Sequence, residues 1–247
     1  MTTLEVIIIA SFIESVISFS GVTLLILGEA RIRRFLHTIL SFSVGALLGA
    51  VFLDILPEAL EIGEPRTVLG FTLVSIVVFF LLEKSLRWYH HHEDGATPHD
   101  HSPGYLVLVG DLMHNAIDGT AIALSFMVDW KLGIATTIAV VIHEIPSEIG
   151  DFLVLLQSGF SKGKALLYNF LISLSTVVAA LITYAFGSVL EPYLPIALAL
   201  VAGNFLYIAI ADIMPELQEQ AGWKHTTLQT ALLILGIVLV GASGFLG

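Results

Sequence analysis

Long apolar runs recur along the whole chain and are separated by short segments rich in glycine, proline and charge. A helix needs about 20 apolar residues to cross a bilayer, whereas helix-breaking residues collect in loops. The pattern therefore predicts a single-domain, all-α polytopic membrane protein over residues 1–247, with eight transmembrane helices. The predicted spans are 5–28, 36–60, 67–87, 104–128, 131–157, 164–187, 195–216 and 226–246.

The composition agrees with this pattern and narrows the chemistry. Hydrophobic residues make up 56% of the chain and charged residues only 13%, about half of what soluble domains carry. The first apolar run is long and lacks a basic start, so no cleavable signal peptide is expected. Because the chain contains no cysteine, disulfides and thiolate metal ligands are excluded. The net charge of −11 argues against nucleic acid as a partner and suits a protein that handles cations.

Basic residues predict the orientation of the spans. Eight of the ten lie in the loops that follow the first, third, fifth and seventh spans, and only Arg66 and Lys131 lie on the other side. The positive-inside rule makes the richer side cytoplasmic and places both termini outside a cell membrane. The eight residues are Arg31, Arg33, Arg34, Lys84, Arg87, Lys162, Lys164 and Lys224.

The loop at residues 89–103, predicted to be cytoplasmic, is rich in histidine. It reads YHHHEDGATPHDHSP and holds five of the nine histidines in the chain. A solvated polar linker is one interpretation, and we favour a metal-capturing tract because other metal-type clusters occur in the chain. The five are His90, His91, His92, His99 and His101.

A short motif, D-I-[LM]-P-E, occurs at residues 54–58 and again at residues 212–216. The second span runs outward and the seventh inward, so the match predicts an inverted repeat that relates spans 1–3 to spans 6–8 around spans 4 and 5. Two unrelated helix ends with capping acids are the alternative. Acids four residues apart share a helix face, so each motif presents two carboxylates. Asp54 and Glu58 fall at the outer mouth, and Asp212 and Glu216 fall at the inner mouth.

The fourth and fifth spans carry polar stripes near their centres. In the fourth span, Asp111, His114, Asn115 and Asp118 lie on one helix face. In the fifth span, two adjacent stripes are formed by His143, Glu144, Ser147, Glu148 and Asp151.

Such groups are costly in hydrocarbon, at about 2.5–3.5 kcal/mol for each charge, and no lysine or arginine lies within either cluster. A hydrogen-bonded polar core is the alternative to a binding site. Histidine, carboxylate and amide groups without counter-charges favour a bound divalent first-row metal such as zinc, iron or manganese. Pro146 frees the carbonyl of Ile142 as a further oxygen, and Glu14 of the first span is a further acid at membrane depth.

These motifs resemble the ZIP (Zrt/Irt-like) family of divalent-metal transporters. The fourth-span pattern H-N-x-x-D-G is matched by His114, Asn115, Asp118 and Gly119. The fifth-span pattern H-E-x-P-H-E is matched by His143, Glu144, Pro146 and Glu148, with Ser147 in place of the second histidine. The resemblance extends over essentially the whole chain and includes the eight spans, the external termini and the histidine-rich loop.

The resemblance implies that metal moves toward the cytoplasm through a site between the fourth and fifth spans. The pathway would begin at Asp54 and Glu58 and end at Asp212 and Glu216. Zinc is the first cargo to expect, with iron, manganese or cadmium as others, and no catalytic cofactor is expected. Ser147 leaves open whether one or two ions bind, because a hydroxyl is a poorer zinc ligand than imidazole. The lipid bilayer is the expected surrounding, and a homodimer is one assembly left open.

Two alternatives differ in class. A cation-diffusion exporter also uses His and Asp four residues apart, as at His114 and Asp118, but usually has six spans and a soluble C-terminal domain. An intramembrane metalloprotease needs H-E-x-x-H, and Ser147 interrupts that motif. We therefore expect a transporter rather than an enzyme.

Overall fold

The computed structural model describes residues 1–23, 29–91, 102–218 and 223–243, and the regular structure in these segments is helical throughout. We number the helices in chain order, treating adjoining helical segments as one. They are α1 (Thr3–Ile17, continued by a 3-10 turn at Ser18–Gly21), α2 (residues 29–62), α3 (Pro65–His91), α4 (Ser102–Val128), α5 (Trp130–Gln157), α6 (Lys162–Ala185), α7 (residues 187–218) and α8 (Trp223–Ser243).

The length and composition of the helices indicate which of them could cross a membrane. Within the described residues, six helices are long and apolar enough to cross one: Thr3–Gly21, Thr38–Ile62, Pro65–Ser85, Lys162–Ala185, Gly187–Ala211 and His225–Ala242. Helices α4 and α5 have 27 and 28 residues, and the polar stripes of the two central spans lie on them. The described chain is therefore an all-helical polytopic membrane protein, and the count of eight spans stays a prediction.

Side chains on the outside of the bundle are apolar. Leu73 on α3, Val178 on α6 and Val238 on α8 are 62%, 55% and 57% exposed. Polar groups such as Ser11, Asn169 and Thr176 are instead fully buried. This reversal of the usual arrangement in soluble proteins suits a surrounding of lipid tails, because polar groups in hydrocarbon must find partners inside the protein.

Helices α2 and α7 each contain a π-helical segment just before the proline of the D-I-[LM]-P-E motif. The segments are Ala50–Ile55 and Ile208–Ile213, and the amide that closes each one donates five residues back, Leu56 to Val51 and Met214 to Ala209. A proline removes one hydrogen bond from the helix, and a π turn is a common way to absorb such a disturbance. Both repeats of the D-I-[LM]-P-E motif therefore have the same backbone irregularity at the same register.

The packing of α1 on α6 is reciprocal. Ser15 Oγ donates to the Ser173 carbonyl at 2.8 Å, and Ser173 Oγ donates to the Ser15 carbonyl at 3.0 Å. These two residues are 158 positions apart. The same separation relates Asp54 to Asp212 and the first π segment to the second.

Glycines set the close approach of α2 to α8 and of α7 to α3. A Cβ at Gly45 would strike the backbone of Leu233, and a Cβ at Gly203 would strike Ser75. Gly45 and Gly203 are again 158 positions apart, and so are Ser75 and Leu233. Small residues that let helix backbones touch are typical of membrane bundles, where van der Waals packing replaces the hydrophobic effect between helices.

The predicted histidine-rich loop lies almost entirely outside the described residues. Helix α3 extends to His91, so His90 and His91 belong to its last turn rather than to a loop. Residues 92–101, which include His92, His99 and His101, are not described.

Candidate metal centre

Helices α4 and α5 bring their polar stripes face to face. They form a helical hairpin whose second helix is capped by Asp129, which accepts hydrogen bonds from the amides of Lys131 and Leu132 at 2.8 and 3.2 Å. Because residues three and four apart share a helix face, the polar side chains of each helix point the same way. At the contact, Nε2 of His114 lies 3.1 Å from Nε2 of His143.

Four side chains around this contact form what we call the histidine centre: His114, Asp118, His143 and Glu144. One ligand atom from each lies within 4.8 Å of all the others. Nε2 of His143 is 3.2 Å from an oxygen of Asp118, and Nε2 of His114 is 3.3 Å from an oxygen of Glu144. The two nitrogens, 3.1 Å apart, are slightly closer than two ligands of one tetrahedral zinc, which lie about 3.3 Å apart when each Zn–N bond is about 2.0–2.1 Å.

The tautomer of His143 follows from the hydrogen-bond partner of Nδ1, the second nitrogen of its ring. Nδ1 lies 3.0 Å from the carbonyl of Ala139, which can only accept, so Nδ1 carries the proton. Nε2 is then the ring nitrogen that could bind a metal ion, and it lies beside Asp118 and His114. A backbone partner of this kind orients metal-binding histidines and strengthens them as ligands.

Three buried acids form a second group, which we call the carboxylate centre: Asp111, Glu144 and Glu148. Their ligand oxygens also lie within 4.8 Å of one another, and Glu144 belongs to both centres. Within the described part of the chain, Oδ2 of Asp111 and Oε1 of Glu148 are buried and have no hydrogen-bond partner. Oε2 of Glu148 accepts from Nδ2 of Asn169 on α6 at 2.8 Å. An unsatisfied buried carboxylate oxygen is costly, so these oxygens are suited to a cation.

Other predicted site residues have different surroundings. Asn115 binds its neighbours Asp111 and Thr176 through both ends of its amide. The hydroxyl of Ser147 donates to the His143 carbonyl at 3.1 Å, within its own helix. Asp151 is half-buried and lies close enough to Asp111 to interact with it electrostatically.

Glu14 on α1 is fully buried beside the histidine centre. Its carboxylate interacts electrostatically with Asp118 and Glu144, and its Oε1 has no hydrogen-bond partner among the described residues. The sequence places this acid at membrane depth without a function, and the structure places it next to the metal-type ligands.

The carbonyl that Pro146 frees is not an additional metal ligand in this arrangement. Ser43 on α2 donates its hydroxyl to the Ile142 carbonyl at 2.9 Å. A hydroxyl from a neighbouring helix is a usual way to satisfy a carbonyl that proline has released inside a membrane. The expected extra oxygen is therefore used to hold α2 against α5.

Both acids of the first D-I-[LM]-P-E motif are partly buried, and one of them lines a cavity. Asp54 is half-buried, with one carboxylate oxygen buried and without a partner among the described residues. Glu58 lines a cavity of about 480 Å³, together with Glu191 and the end of α4 at Met127. Asp212 and Glu216 lie in the corresponding part of α7, and their side chains are outside the described set.

Two residues of the site region carry contacts that the sequence did not predict, Thr176 and Glu191. For Asn169 the sequence favours an interhelical hydrogen bond, and its Nδ2 does donate to Glu148 on α5. Thr176 lies seven residues further along α6, a spacing that indicates the same helix face. Glu191 lies in the 3-10 turn near the start of α7, and nothing in the local sequence places it beside Glu58.

The fold and the site define a multi-pass helical membrane protein in which buried histidine and carboxylate side chains are close enough together to hold a metal ion. Residues 4–104 and 101–244 match the family model described as ZIP zinc transporter. The chain belongs to this family, which confirms the resemblance seen in its motifs. Members of the family are transporters, so the protease is set aside, and the family match sets aside membership in the cation-diffusion family.

Individual relatives agree with this assignment. Zinc transporter ZIP13 of Pongo abelii is 34% identical over 224 residues, which cover 83% of this chain and 66% of that protein. Zinc transporter YKE4 of Saccharomyces cerevisiae is 28% identical over 245 residues, covering 83% of this chain and 70% of that protein. Zinc transporter zipt-7.2 of Caenorhabditis elegans is 38% identical over 141 residues, but these are only 30% of its length. The chain thus spans between 30% and 70% of the length of these relatives.

Proposed function

We propose that this protein carries divalent metal ions, zinc first among them, across a membrane toward the cytoplasm. The observation that carries the proposal is the histidine centre, where two imidazole nitrogens and two carboxylates from α4 and α5 lie within 4.8 Å of one another. Nitrogen and oxygen ligands in a four-fold set are what zinc takes in proteins without cysteine. Iron and manganese are compatible with the same ligands, and competition uptake experiments would rank the three metals by preference.

The pathway we propose begins at the outer cavity. A cation is attracted by Glu58 and Glu191, passes Asp54, and loses water as it reaches the histidine centre. Carboxylates along the route replace parts of the hydration shell, which lowers the cost of taking the ion into a buried site. We place the exit at Asp212 and Glu216 on α7, from which the ion reaches the histidine-rich loop.

Alternating access through an inverted repeat is the mechanism we propose. The reciprocal bonds of Ser15 with Ser173, the paired glycines and the paired π segments all relate residues 158 positions apart. Two structurally related halves that run in opposite directions can form similar outward-open and inward-open arrangements around one site. These correspondences support the repeat that relates α1–α3 to α6–α8.

Uptake of metal into proteoliposomes loaded with a metal-sensing dye tests the site. The variants His143→Ala and Asp118→Ala should lose most of their zinc uptake, because each removes a ligand of the histidine centre. His225→Ala, which removes an exposed histidine at the start of α8, serves as the matched control and should behave like the parent. If His143→Ala transports zinc as fast as His225→Ala, the proposed site is wrong. Deletion of residues 90–101 should leave uptake largely intact, since we assign the loop to capture rather than passage.

Orientation and direction are open to a clean test because the chain has no cysteine. Single cysteines at residue 2 and at residue 64 should react with an impermeant maleimide from outside the cell. A cysteine at residue 161, between α5 and α6, should react only after the membrane is opened. Labelling of residue 161 from outside would reverse the proposed topology. Once this labelling has determined how the protein is oriented in a vesicle membrane, a zinc-sensing dye placed inside or outside the vesicles reports the direction of zinc movement.

A further inference from the structure

Two serines on other helices donate hydrogen bonds to the backbone of α5 beside its metal-type side chains. Ser43 Oγ on α2 donates to the Ile142 carbonyl at 2.9 Å. Ser20 Oγ, in the 3-10 turn that continues α1, donates to the Ile145 carbonyl at 3.3 Å. The two residues between these carbonyls both belong to the histidine centre. Their side chains therefore leave α5 from a stretch of backbone that is held at each end by another helix.

Proline explains why this stretch of backbone accepts hydrogen bonds from other helices. Pro146 has no N–H, so the Ile142 carbonyl loses its donor within the helix, and the proline ring presses against that carbonyl. Sharp bends in helices occur mostly at such prolines. The direction of the segment that carries His143 and Glu144 therefore depends on the groups that take up the released carbonyl and its neighbour.

The end of α1 is shaped to reach α5. The chain tightens into a 3-10 turn at Ser18–Gly21, and a Cβ at Gly21 would lie 2.8 Å from Cβ and Cγ of Phe152 on α5. A larger residue at this glycine would push the turn away from α5 and take Ser20 out of reach of the carbonyl that it binds. Thr23 adds a bond within the turn, from its hydroxyl to the Ser20 carbonyl at 2.6 Å.

We propose that Ser20 and Ser43 are positioning residues for the histidine centre. Their hydroxyls, which we call the hydroxyl clamp, fix the bend of α5 at Pro146. The clamp thereby holds His143 and Glu144 against α4 so that the centre closes to the bond lengths that zinc takes, about 2.0–2.2 Å. Cadmium is a larger ion and fits a wider site. The clamp therefore sets both the affinity for zinc and the preference for zinc over cadmium, although neither serine touches the ion.

The inference rests on the proposed function and separates two roles for the serines. If they only stabilise the bundle, their removal lowers the melting temperature, while each folded molecule keeps its metal preference. If they position the histidine centre, the folded protein binds zinc less tightly and discriminates less between zinc and cadmium. Measurements made well below the melting temperature distinguish the two roles.

The experiment combines zinc and cadmium uptake by proteoliposomes with the visible spectrum of Co²⁺ bound to the protein in detergent. Co²⁺ is the probe for the zinc site, since its absorption bands depend on the geometry of its ligands. We expect Ser20→Ala to raise the zinc KM by about 10-fold, the lower end of effects on groups that support metal ligands. The cadmium KM should change less, and the Co²⁺ bands should shift. Ser20→Thr keeps the hydroxyl and should restore all three properties.

Ser43→Ala tests the fully buried end of the clamp. It should shift the zinc KM, the cadmium preference and the Co²⁺ bands in the same direction as Ser20→Ala, in addition to its loss of stability. Because this variant is the more exposed to misfolding, Ser20→Ala and Ser20→Thr decide the question where Ser43→Ala does not fold.

Ser75→Ala is the matched control. Ser75 Oγ on α3 donates to the Leu200 carbonyl on α7 at 2.6 Å, which is a bond of the same kind between helices other than α5. This variant should also be less stable than the parent. Its zinc KM should stay within about twofold of the parent value, as for separate sites, and its Co²⁺ bands should not move.

Three results would overturn the inference while leaving the proposed function in place. The first is a parent-like zinc KM, cadmium preference and Co²⁺ spectrum in folded Ser20→Ala. The second is an equal change in Ser75→Ala, which would indicate a general loosening of the bundle. The third is a Ser20→Thr variant that behaves like Ser20→Ala. A parent protein that neither binds nor transports any divalent metal would instead remove the proposed function itself.

Discussion

Gly119 marks the closest approach of α4 to α6, and its replacement by alanine gives a sharp test of the structure. A Cβ at this position would lie 2.7 Å from the carbonyl carbon of Thr176 and 2.8 Å from its Cα, against 3.4 Å or more for ordinary contact. The obstacle is helix backbone and cannot rotate away. The carbonyl oxygen of Thr176 lies closer still, so the two helices must separate by more than about 0.7 Å, since well-packed interiors have little spare room.

The separation has consequences for stability and for the site. Overpacking of this kind costs about 1–3 kcal/mol, which corresponds to about 2–12 °C in melting temperature on the scale of soluble domains of this size. Asp118 is the residue next to Gly119 and Asn115 lies one turn away on the same helix, and metal sites tolerate only about 0.2 Å in ligand distance. Gly119→Ala should therefore lower both the apparent melting temperature in detergent and the rate of zinc uptake.

Gly110→Ala is the control, since Gly110 lies on the same helix and a Cβ there would meet nothing within 4 Å. Alanine is the better helix former by about 0.5–1 kcal/mol, so this variant should be as stable as the parent or slightly more stable. The assay is a thermal melt of both variants followed by uptake in proteoliposomes. If Gly119→Ala melts and transports like Gly110→Ala, the close packing of α4 on α6 is incorrect.

Four further outcomes are expected. Ser147→His should shift the preference among zinc, manganese and cadmium in competition uptake, without any gain of proteolysis, and an unchanged preference would show that position 147 does not face the ion. Ser43→Ala should cost about 1–3 kcal/mol by leaving a carbonyl unsatisfied, whereas Ser85→Ala, on an exposed face of α3, should leave the melting temperature unchanged. Glu191→Gln should slow zinc uptake at low ionic strength and match the parent at high salt, because the carboxylate acts through long-range attraction; equal rates at both salts would remove it from the pathway. Hydrogen bonds from the backbone and hydroxyl of Thr67 hold the pKa of Glu64 below its ordinary value. The ionised carboxylate therefore stabilises the start of α3 at pH values above the ordinary pKa, and this stabilisation is lost as the pH falls through the lowered pKa. Glu64→Gln should remove this pH dependence from the melting temperature.

Much of the helical arrangement could be predicted because apolar runs are a local property. The span expected at residues 164–187 is found at Lys162–Ala185, and the span expected at 226–246 is found at His225–Ala242. The largest difference is in α7, where the helix begins at Gly187 rather than at residue 195. Glycine and two prolines near its start suggested a loop, and a short 3-10 turn at Glu191–Tyr193 carries the chain through them.

The sequence by itself determined which chemistry the centre of this protein has. Apolar length determined where helices form, and helical spacing determined that His114 and Asp118, or Glu144 and Glu148, share a face. The absence of cysteine and of nearby cationic side chains left metal as the natural partner of these groups. All of these properties depend on residues close together in the chain.

Only the tertiary structure decided which of those groups meet and what each one does. It places His114 against His143. It orients Asn115 between Asp111 and a threonine on α6. It pairs the backbone carbonyl freed by Pro146 with the hydroxyl of Ser43 on α2. It also brought Glu191 to the same cavity as Glu58. The physical reason is that a hydrogen bond or a ligand contact depends on a few tenths of an ångström between helices far apart in sequence, and no local pattern encodes that distance.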